Sequence, residues 1–348
     1  MLPFSDRLGR RLSAVTFLAL VVLLGISTSC RKQDESPVAE ATITVYGFSV
    51  VREALEEEIF PAFQKEWKVK TGQHIEFEKS FGGSELITNQ IASGARADLA
   101  ILAIDRNAAR LREQHATKSD WKWLPNGGIL HTSPMIIMVR PGNPKKIKDF
   151  KDLGQAGLRL IHSDPISSGA GQWSLMAIYG SEIMKTRRAG HEDAQKAFEL
   201  LKRVWKNVIA TPGSAREART QFERGEGDAL VTYELDALQL QDKNVRFEIV
   251  VPPTTIFSEH PVIVIDHDMA PWKYAMVELF ARYLWSEEAQ KAWVKYYFRT
   301  PNQEINDTQP KFAHVPQPFL IKELGGWEKA YPDVVERVWK EKIQTVKQ

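Results

Sequence analysis

Short apolar runs alternate with helical periodicity from residue 41 onward, and this alternation constrains the fold more than any other feature of the chain. Apolar runs at residues 43–48, 75–77 and 99–104 predict strands. Apolar residues recur every fourth position through residues 55–67, and residues 86–92 have a similar pattern, so a helix is predicted between each pair of strands. A β-α-β-α-β order predicts a largely parallel sheet flanked by helices, which places the chain in the α/β class.

Proline and glycine residues divide this pattern further. Pro61 should kink the first helix, and Gly72 should end it. Residues 140–144 (Arg-Pro-Gly-Asn-Pro) separate a second unit, and a length of 348 residues favours about two domains. Beyond this separator we predict strands at 158–162, 229–232 and 262–265, a helix starting near Ser168, another through 197–204, and a long amphipathic helix over 276–297.

The N-terminus has the three parts of an export signal. Three arginines precede an apolar run at residues 14–26, which is shorter than the ~20 residues of a membrane-spanning helix. Small residues follow, and then Cys30, which occupies the position of the acylated cysteine in bacterial lipoproteins. We therefore expect a signal peptide at 1–29, lipidation of Cys30 and a tether at 30–40 that leads to a periplasmic body. The alternative is an ordinary cleaved signal with an unmodified cysteine.

Charge and motif content exclude several classes of function. The formal net charge is +2, and it falls to zero without the signal segment, so neither nucleic acid nor an anionic membrane surface is an expected partner. The eight histidines form no HExxH pair, and the single cysteine cannot complete a zinc site. No nucleophile elbow, Walker loop or dinucleotide fingerprint is present in the sequence. The sequence thus predicts no metal, no cofactor and no enzyme activity.

Short Gly/Ser turns directly precede several of the predicted helices. They are Ser49 and the segments 81–84, 167–171 and 212–215. The N-terminus of a helix exposes unpaired N–H groups and a partial positive charge, so each turn can seat an anion. Each serine could also be an ordinary N-cap. Four such turns in one exported chain favour convergence on a shared cleft.

Several segments, taken in order, resemble the sulfate/thiosulfate-binding proteins of bacterial ABC importers. The segments are Lys-Thr-Gly-Gln-His-Ile-Glu-Phe-Glu-Lys-Ser at 70–80, Ser-Phe-Gly-Gly-Ser at 80–84, Val-Arg-Pro-Gly-Asn-Pro-Lys at 139–145, Asp-Pro-Ile-Ser-Ser-Gly at 164–169, Phe-Glu-Arg-Gly-Glu-Gly-Asp at 222–228 and Gly-Gly-Trp at 325–327. The similarity extends from about residue 42 to residue 327. It is carried by this order rather than by any single segment.

The resemblance implies a two-domain periplasmic binding protein of type II. Domain I would comprise residues 41–133 and 258–348, domain II residues 134–257, and strands near 132–139 and 259–265 would cross the hinge. A sulfate would be held by neutral donors from both domains. Carried over by motif, these donors would lie at Ser49, Ser84, Ser168, Gly169, Ala170, Ser214, Ala215 and Tyr233.

The chain departs from the family pattern at the proposed site. Tyr233 stands where the family has a tryptophan, and Glu85 stands where it usually has Gly or Ser. The 164–172 signature also differs at Ile166, Gly171 and Gln172. We expect Glu85 to point to solvent from the first turn of its helix, and Tyr233 to act as a donor in place of the indole.

The expected function is therefore capture of sulfate or thiosulfate by a monomer, followed by delivery to the permease subunits of an ABC importer, with the lipid anchor as its only membrane contact. Three alternatives remain. The same fold could bind phosphate, a phosphonate or molybdate. The chain could be a secreted hydrolase with Ser84 or Ser168 as nucleophile, although no histidine lies in a recognisable triad motif. It could also be a ligand-sensing lipoprotein.

Overall fold

The structure is a computed structural model that describes residues 41–345. The predicted signal peptide, the Cys30 lipidation site and the tether all lie outside the described residues. Ten strands form one sheet: β1 (Ala41–Phe48), β2 (Ile75–Gly82), β3 (Leu99–Ile101), β4 (Ile129–Val139), β5 (Leu160–His162), β6 (Val208–Ala210), β7 (Ala229–Tyr233), β8 (Glu248–Val250), β9 (Thr254–Val264) and β10 (Gln317–Phe319).

Helices follow most of the strands and cover the sheet. The α-helices are α1 (Phe60–Thr71), α2 (Ser84–Ala92), α3 (Asp105–Glu113), α4 (Gly169–Arg188), α5 (Ala194–Lys206), α6 (Ala215–Glu223), α7 (Glu234–Gln241), α8 (Pro271–Tyr283), α9 (Glu287–Lys295), α10 (Gln303–Asn306) and α11 (Gly326–Ala330), with a short turn at Arg52–Ala54. A π-helical segment, Tyr331–Gln344, follows α11. Among residues 41–345, no helix is both long enough and apolar enough to cross a membrane.

Two long strands connect the two halves of the sheet. The strand order is β2-β1-β3-β9-β4-β7-β5-β6, with β10 beside β9 and β8 beside β4. The antiparallel strands β4 and β9 pair through residues 129–134 and 257–261. Beyond that contact, β4 pairs with β7, whereas β9 pairs with β3. Each strand therefore passes from one half to the other, which is the connection expected for the two hinge-crossing strands of a type II binding protein.

The first helix has the irregularity that its proline predicts. A π-helical turn, Leu55–Ile59, directly precedes α1, and the N–H of Phe60 donates to the carbonyl of Leu55. Pro61 follows as the second residue of α1, and because the preceding turn is itself helical, its missing N–H removes one backbone hydrogen bond at this junction. The helix ends at Gly72, which adopts the left-handed conformation (φ 74°) and donates its N–H to the carbonyl of Lys68.

The prediction of one long amphipathic helix over residues 276–297 is wrong. The chain forms two helices there, α8 and α9, separated at residues 284–286. Ser286 begins α9 as an N-cap, and its hydroxyl accepts a hydrogen bond from the N–H of Ala289 at 3.2 Å. Trp285, in the break, donates its indole N–H to the carbonyl of Ile129 at 3.2 Å. The apolar periodicity continues across the break because both helices pack on the same core.

Candidate anion-binding site

The Gly/Ser turns of the two halves meet at one place. A Cβ on Gly83 would lie 2.5 Å from the carbonyl oxygen of Gly213 and would also clash with the carbonyl of Ser167. The Ser167 hydroxyl donates to that same Gly213 carbonyl at 3.2 Å. A Cβ on Gly169 would lie 3.3 Å from the Cβ of Ser84. Only glycine permits so close a backbone approach, so the three turns converge as the sequence predicts.

The fourth turn joins this group through Arg216. The backbone N–H of Arg216 donates to the Ser49 hydroxyl oxygen at 3.4 Å, and its guanidinium donates to the Ser49 carbonyl at 2.9 and 3.1 Å. Arg216 follows Ala215, the first residue of α6. The structure therefore brings the turn after β1 against the start of α6.

The helices behind these turns point their N-termini into the same region. Residues Ser84, Gly169 and Ala215 begin α2, α4 and α6, whose first-turn N–H groups have no acceptor within the helix. The N–H of Ser168 is already donated to the carbonyl of Asp164 at 2.9 Å, so this residue would offer its hydroxyl instead. The Ser214 hydroxyl accepts from the N–H of Glu217 at 3.2 Å and acts as an N-cap.

Ser84 is buried, and its hydroxyl already has two partners. Its Oγ accepts a hydrogen bond from the N–H of Ala103 at 3.0 Å and donates to Oδ1 of Asn107 at 3.1 Å. To donate to an anion, the hydroxyl must turn its proton away from Asn107. The partner of Ser84 is therefore an amide and not a base, which gives no support to a nucleophilic role.

Tyr233, at the end of β7, is fully buried. Its hydroxyl has no hydrogen-bond partner within residues 41–345. Its ring contacts Phe48, the residue before Ser49, at a centroid distance of 6.2 Å. Burial, and to a lesser extent the charge of Asp236, raises the pKa of Tyr233 well above its usual value, so the phenol keeps its proton. A buried unpartnered donor is therefore placed beside the turn at Ser49.

The prediction that Glu85 points to solvent is wrong. The residue is 4% exposed. Its two carboxylate oxygens accept hydrogen bonds from the side chains of Asn107 (2.7 Å), Arg110 (2.9 Å), Gln172 (3.1 Å) and Arg106 (3.3 Å). A carboxylate can be buried when opposite charges and donors compensate for its lost hydration. The four donors lie 21 to 87 positions away in the sequence, which is why the local pattern did not reveal this environment.

A second compensated carboxylate lies on the other side of the site. Nη1 of Arg216 donates to Oε1 of Glu53 at 2.7 Å. Burial alone would raise the pKa of Glu53, but the hydrogen bond and the charge of Arg216 outweigh it and hold this pKa below its ordinary value. The positive charge of Arg216 is therefore matched by Glu53 rather than left for an anion.

Two histidines at the hinge form a buried pair that the sequence did not predict. Nδ1 of His131 on β4 lies 2.8 Å from Nδ1 of His260 on β9. Burial lowers the pKa of His260 to about 3, and burial together with His260 lowers the pKa of His131 well below its usual value. Both rings are neutral at physiological pH. Within the described residues, no group of three or more potential ligands is arranged to hold a metal ion.

Comparison with known proteins defines the class and then the family. Residues 43–299 match the model of a bacterial extracellular solute-binding protein family. The chain is 30% identical to a sulfate-binding protein of Synechococcus elongatus, over 96% of this chain and 94% of that protein. It is 31% identical to a thiosulfate-binding protein of Pseudomonas aeruginosa, over 78% of this chain and 82% of that protein.

A solved structure gives the same result. The sulfate-binding protein SubI from Mycobacterium tuberculosis superposes with a TM-score of 0.76 at 28% identity, covering 84% of this chain and 99% of SubI. A periplasmic thiamin-binding protein shares the fold, with a TM-score of 0.61 at 15% identity. The fold and the family match define a type II extracellular solute-binding protein. Within that class, the chain belongs to the family of the sulfate- and thiosulfate-binding proteins, as a divergent member.

Proposed function

We propose that this protein captures sulfate or thiosulfate between two domains outside the cytoplasm and delivers it to an ABC importer. The observation that carries the proposal is the convergence of four helix-initiating turns beside the buried, unpartnered hydroxyl of Tyr233. Oriented N–H groups and hydroxyls can hold a dianion without a countercharge. The names of the relatives, which are sulfate- and thiosulfate-binding proteins, support this ligand class.

The balance of donors and acceptors favours sulfate over a protonated oxyanion. Sulfate has no proton at neutral pH, so it needs donors only. The carboxylates of Glu85 and Glu53 are each occupied by arginine and other donors, so they do not offer a free acceptor to the proton of monohydrogen phosphate. Hydrogen bonds to a charged group contribute about 1.5–3 kcal/mol each, so five or six are enough for micromolar affinity, about −8 kcal/mol.

A ligand screen tests the proposal. Purified protein is titrated by calorimetry with sulfate, thiosulfate, molybdate and phosphate, and thermal unfolding is followed in parallel, because a ligand of the native state raises apparent stability. We expect one-to-one binding of sulfate or thiosulfate at micromolar concentration. Binding of none of these anions would exclude an oxyanion carrier, and a preference for phosphate or molybdate would assign another ligand of the same class.

The domain division and the membrane attachment are part of the proposal. The domains would comprise residues 41–133 with 258–348, and residues 134–257. The hinge would be formed by β4 and β9, and Cys30 would carry the lipid. A lipidated protein should partition into the detergent phase, and Cys30→Ala should move it to the aqueous phase. Unchanged partitioning of that variant would exclude the anchor without affecting the ligand assignment.

A further inference from the structure

Two residues that depart from the family pattern contact each other across the site. Glu85 lies in the first turn of α2, and Gln172 lies in the first turn of α4. Nε2 of Gln172 donates to Oε1 of Glu85 at 3.1 Å. Both side chains are buried, and they are 87 positions apart in sequence. The two departures therefore form one interaction.

Gln172 also bonds to its own side of the cleft. Its Nε2 donates to the carbonyl of Pro165 at 3.0 Å, in the turn that precedes α4. This amide nitrogen thus connects the 164–168 turn with α2. A main-chain contact lies beside it, since the N–H of Leu86 donates to the carbonyl of Ser167 at 3.4 Å.

Glu85 continues the connection to a predicted ligand residue. Its Oε1 accepts from Nδ2 of Asn107 at 2.7 Å, and Oδ1 of the same amide accepts from the hydroxyl of Ser84 at 3.1 Å. A chain of hydrogen bonds therefore runs from Ser84 through Asn107, Glu85 and Gln172 to Pro165. Because Arg106 and Arg110 compensate its charge, Glu85 holds these groups without leaving an exposed negative charge beside the anion.

We propose that Glu85 and Gln172 are a pair of positioning residues that latch the cleft in its closed state. The inference rests on the proposed function and deepens it. The bonds from Glu85 to Asn107, Arg106 and Arg110 lie within the half of the protein that contains β1, β2 and β3, and they persist when the cleft opens. The bond from Gln172 to Glu85 is made only when the two halves are together. The pair therefore slows ligand release rather than ligand capture.

The kinetic test separates release from capture. Sulfate association and dissociation are measured by stopped-flow tryptophan fluorescence for the wild type, Gln172→Ala, Glu85→Gln and the double variant. We expect Gln172→Ala to speed dissociation about tenfold, as for loss of a hydrogen bond to a charged acceptor, and to change association less than twofold. The double variant should dissociate no faster than Gln172→Ala, because that substitution removes the bond completely, whereas Glu85→Gln only replaces its charged acceptor by a neutral one. Gln90→Ala, an exposed glutamine of α2, is the matched control and should dissociate like the wild type.

Hydrogen exchange measures the latch separately from ligand affinity, in the fraction of the ligand-free protein whose cleft is closed. In Gln172→Ala, peptides covering 84–92 and 164–172 should exchange faster than in the wild type, while peptides distant from these two segments should exchange as they do in Gln90→Ala. If the wild type binds no oxyanion but these peptides still respond, the latch stands and the proposed function fails. If the wild type binds sulfate, and Gln172→Ala and Glu85→Gln change neither dissociation nor exchange, the latch is wrong. Independent, additive effects of the two substitutions would also overturn it.

Discussion

Arg299 forms a bidentate ion pair with Glu234, the residue directly after Tyr233. Nε of Arg299 lies 2.9 Å from Oε2 of Glu234, and Nη2 lies 2.8 Å from Oε1. The N–H of Ala313 donates to the same carboxylate at 2.8 Å. Glu234 begins α7, whereas Arg299 forms an isolated bridge with Thr132 of β4. The pair thus fixes the strand-to-helix turn that presents Tyr233 to the site.

Removing the arginine should destabilise the fold strongly. Glu234 is 1% exposed, so Arg299→Ala would leave a buried charge without its partner, and we expect the free energy of unfolding to fall by about 3–5 kcal/mol. Adding Glu234→Gln should recover part of this loss, because a neutral amide costs less to bury. Urea denaturation measures both effects. Lys311→Ala, which breaks the exposed pair with Asp242, is the control and should cost less than about 1 kcal/mol. Equal losses of stability in Arg299→Ala and Lys311→Ala would contradict this explanation.

Tyr233→Phe should weaken sulfate binding and leave stability intact. The phenol hydroxyl has no partner among the described residues, so its loss breaks no internal hydrogen bond. A lost hydrogen bond to a dianion should cost about 1.5–3 kcal/mol, or roughly a 10- to 150-fold rise in Kd. Calorimetry and thermal melts measure the two quantities. Tyr46→Phe, in β1, is the matched control and should bind like the wild type. A Tyr233→Phe variant with wild-type affinity would remove Tyr233 from the site.

The sequence predicts the placement of the turns but not the chemistry around them. The turns can be predicted because strand-turn-helix order is local and the ends of parallel strands meet at one edge of a sheet. The burial of Glu85 depends on donors 21 to 87 positions away, and the His131–His260 pair joins residues 129 apart, so neither has a local signal. The break at residues 284–286 was missed for a different reason. A capping serine interrupts the helix, whereas the apolar periodicity of the sequence continues across the break.

The hinge histidines should make stability depend on pH below neutrality. The pKa of His260 is about 3 in the folded protein and about 6.5 in an unfolded chain, so between these values only the unfolded chain binds the proton. The contribution of His260 to the free energy of unfolding is therefore fully present above about pH 6.5 and is lost as pH falls. From pH 6.5 to 4, His260 alone should account for a loss of about 3 kcal/mol.

Urea denaturation of the wild type and His260→Gln at both pH values checks this contribution. The variant should be less sensitive to acid than the wild type. His314→Gln, an exposed histidine, is the control and should keep the full acid sensitivity. If His260→Gln loses as much stability between pH 6.5 and 4 as the wild type does, then His260 is not the group that titrates.

Sulfate affinity should be nearly constant from pH 5 to 8, and phosphate should bind at least a hundredfold more weakly, a difference of about 2.7 kcal/mol. Sulfate does not change its charge in this range. The neighbouring hinge histidines add little pH dependence, because burial lowers the pKa of His260 to about 3 and lowers the pKa of His131 well below its usual value. Burial also raises the pKa of Tyr233, which therefore remains a donor.

Phosphate is disfavoured for a different reason. Monohydrogen phosphate carries a proton that needs an acceptor, and the oxygens of Glu85 already accept from four side chains. Burying that proton without a partner costs binding free energy, whereas sulfate meets only donors. Calorimetric titrations with both anions at pH 5, 6.5 and 8 measure the difference. Tighter binding of phosphate, or sulfate affinity that rises steeply as pH falls, would mean that a carboxylate faces the anion. Glu85 would then have to leave Asn107 and Gln172 when the ligand enters.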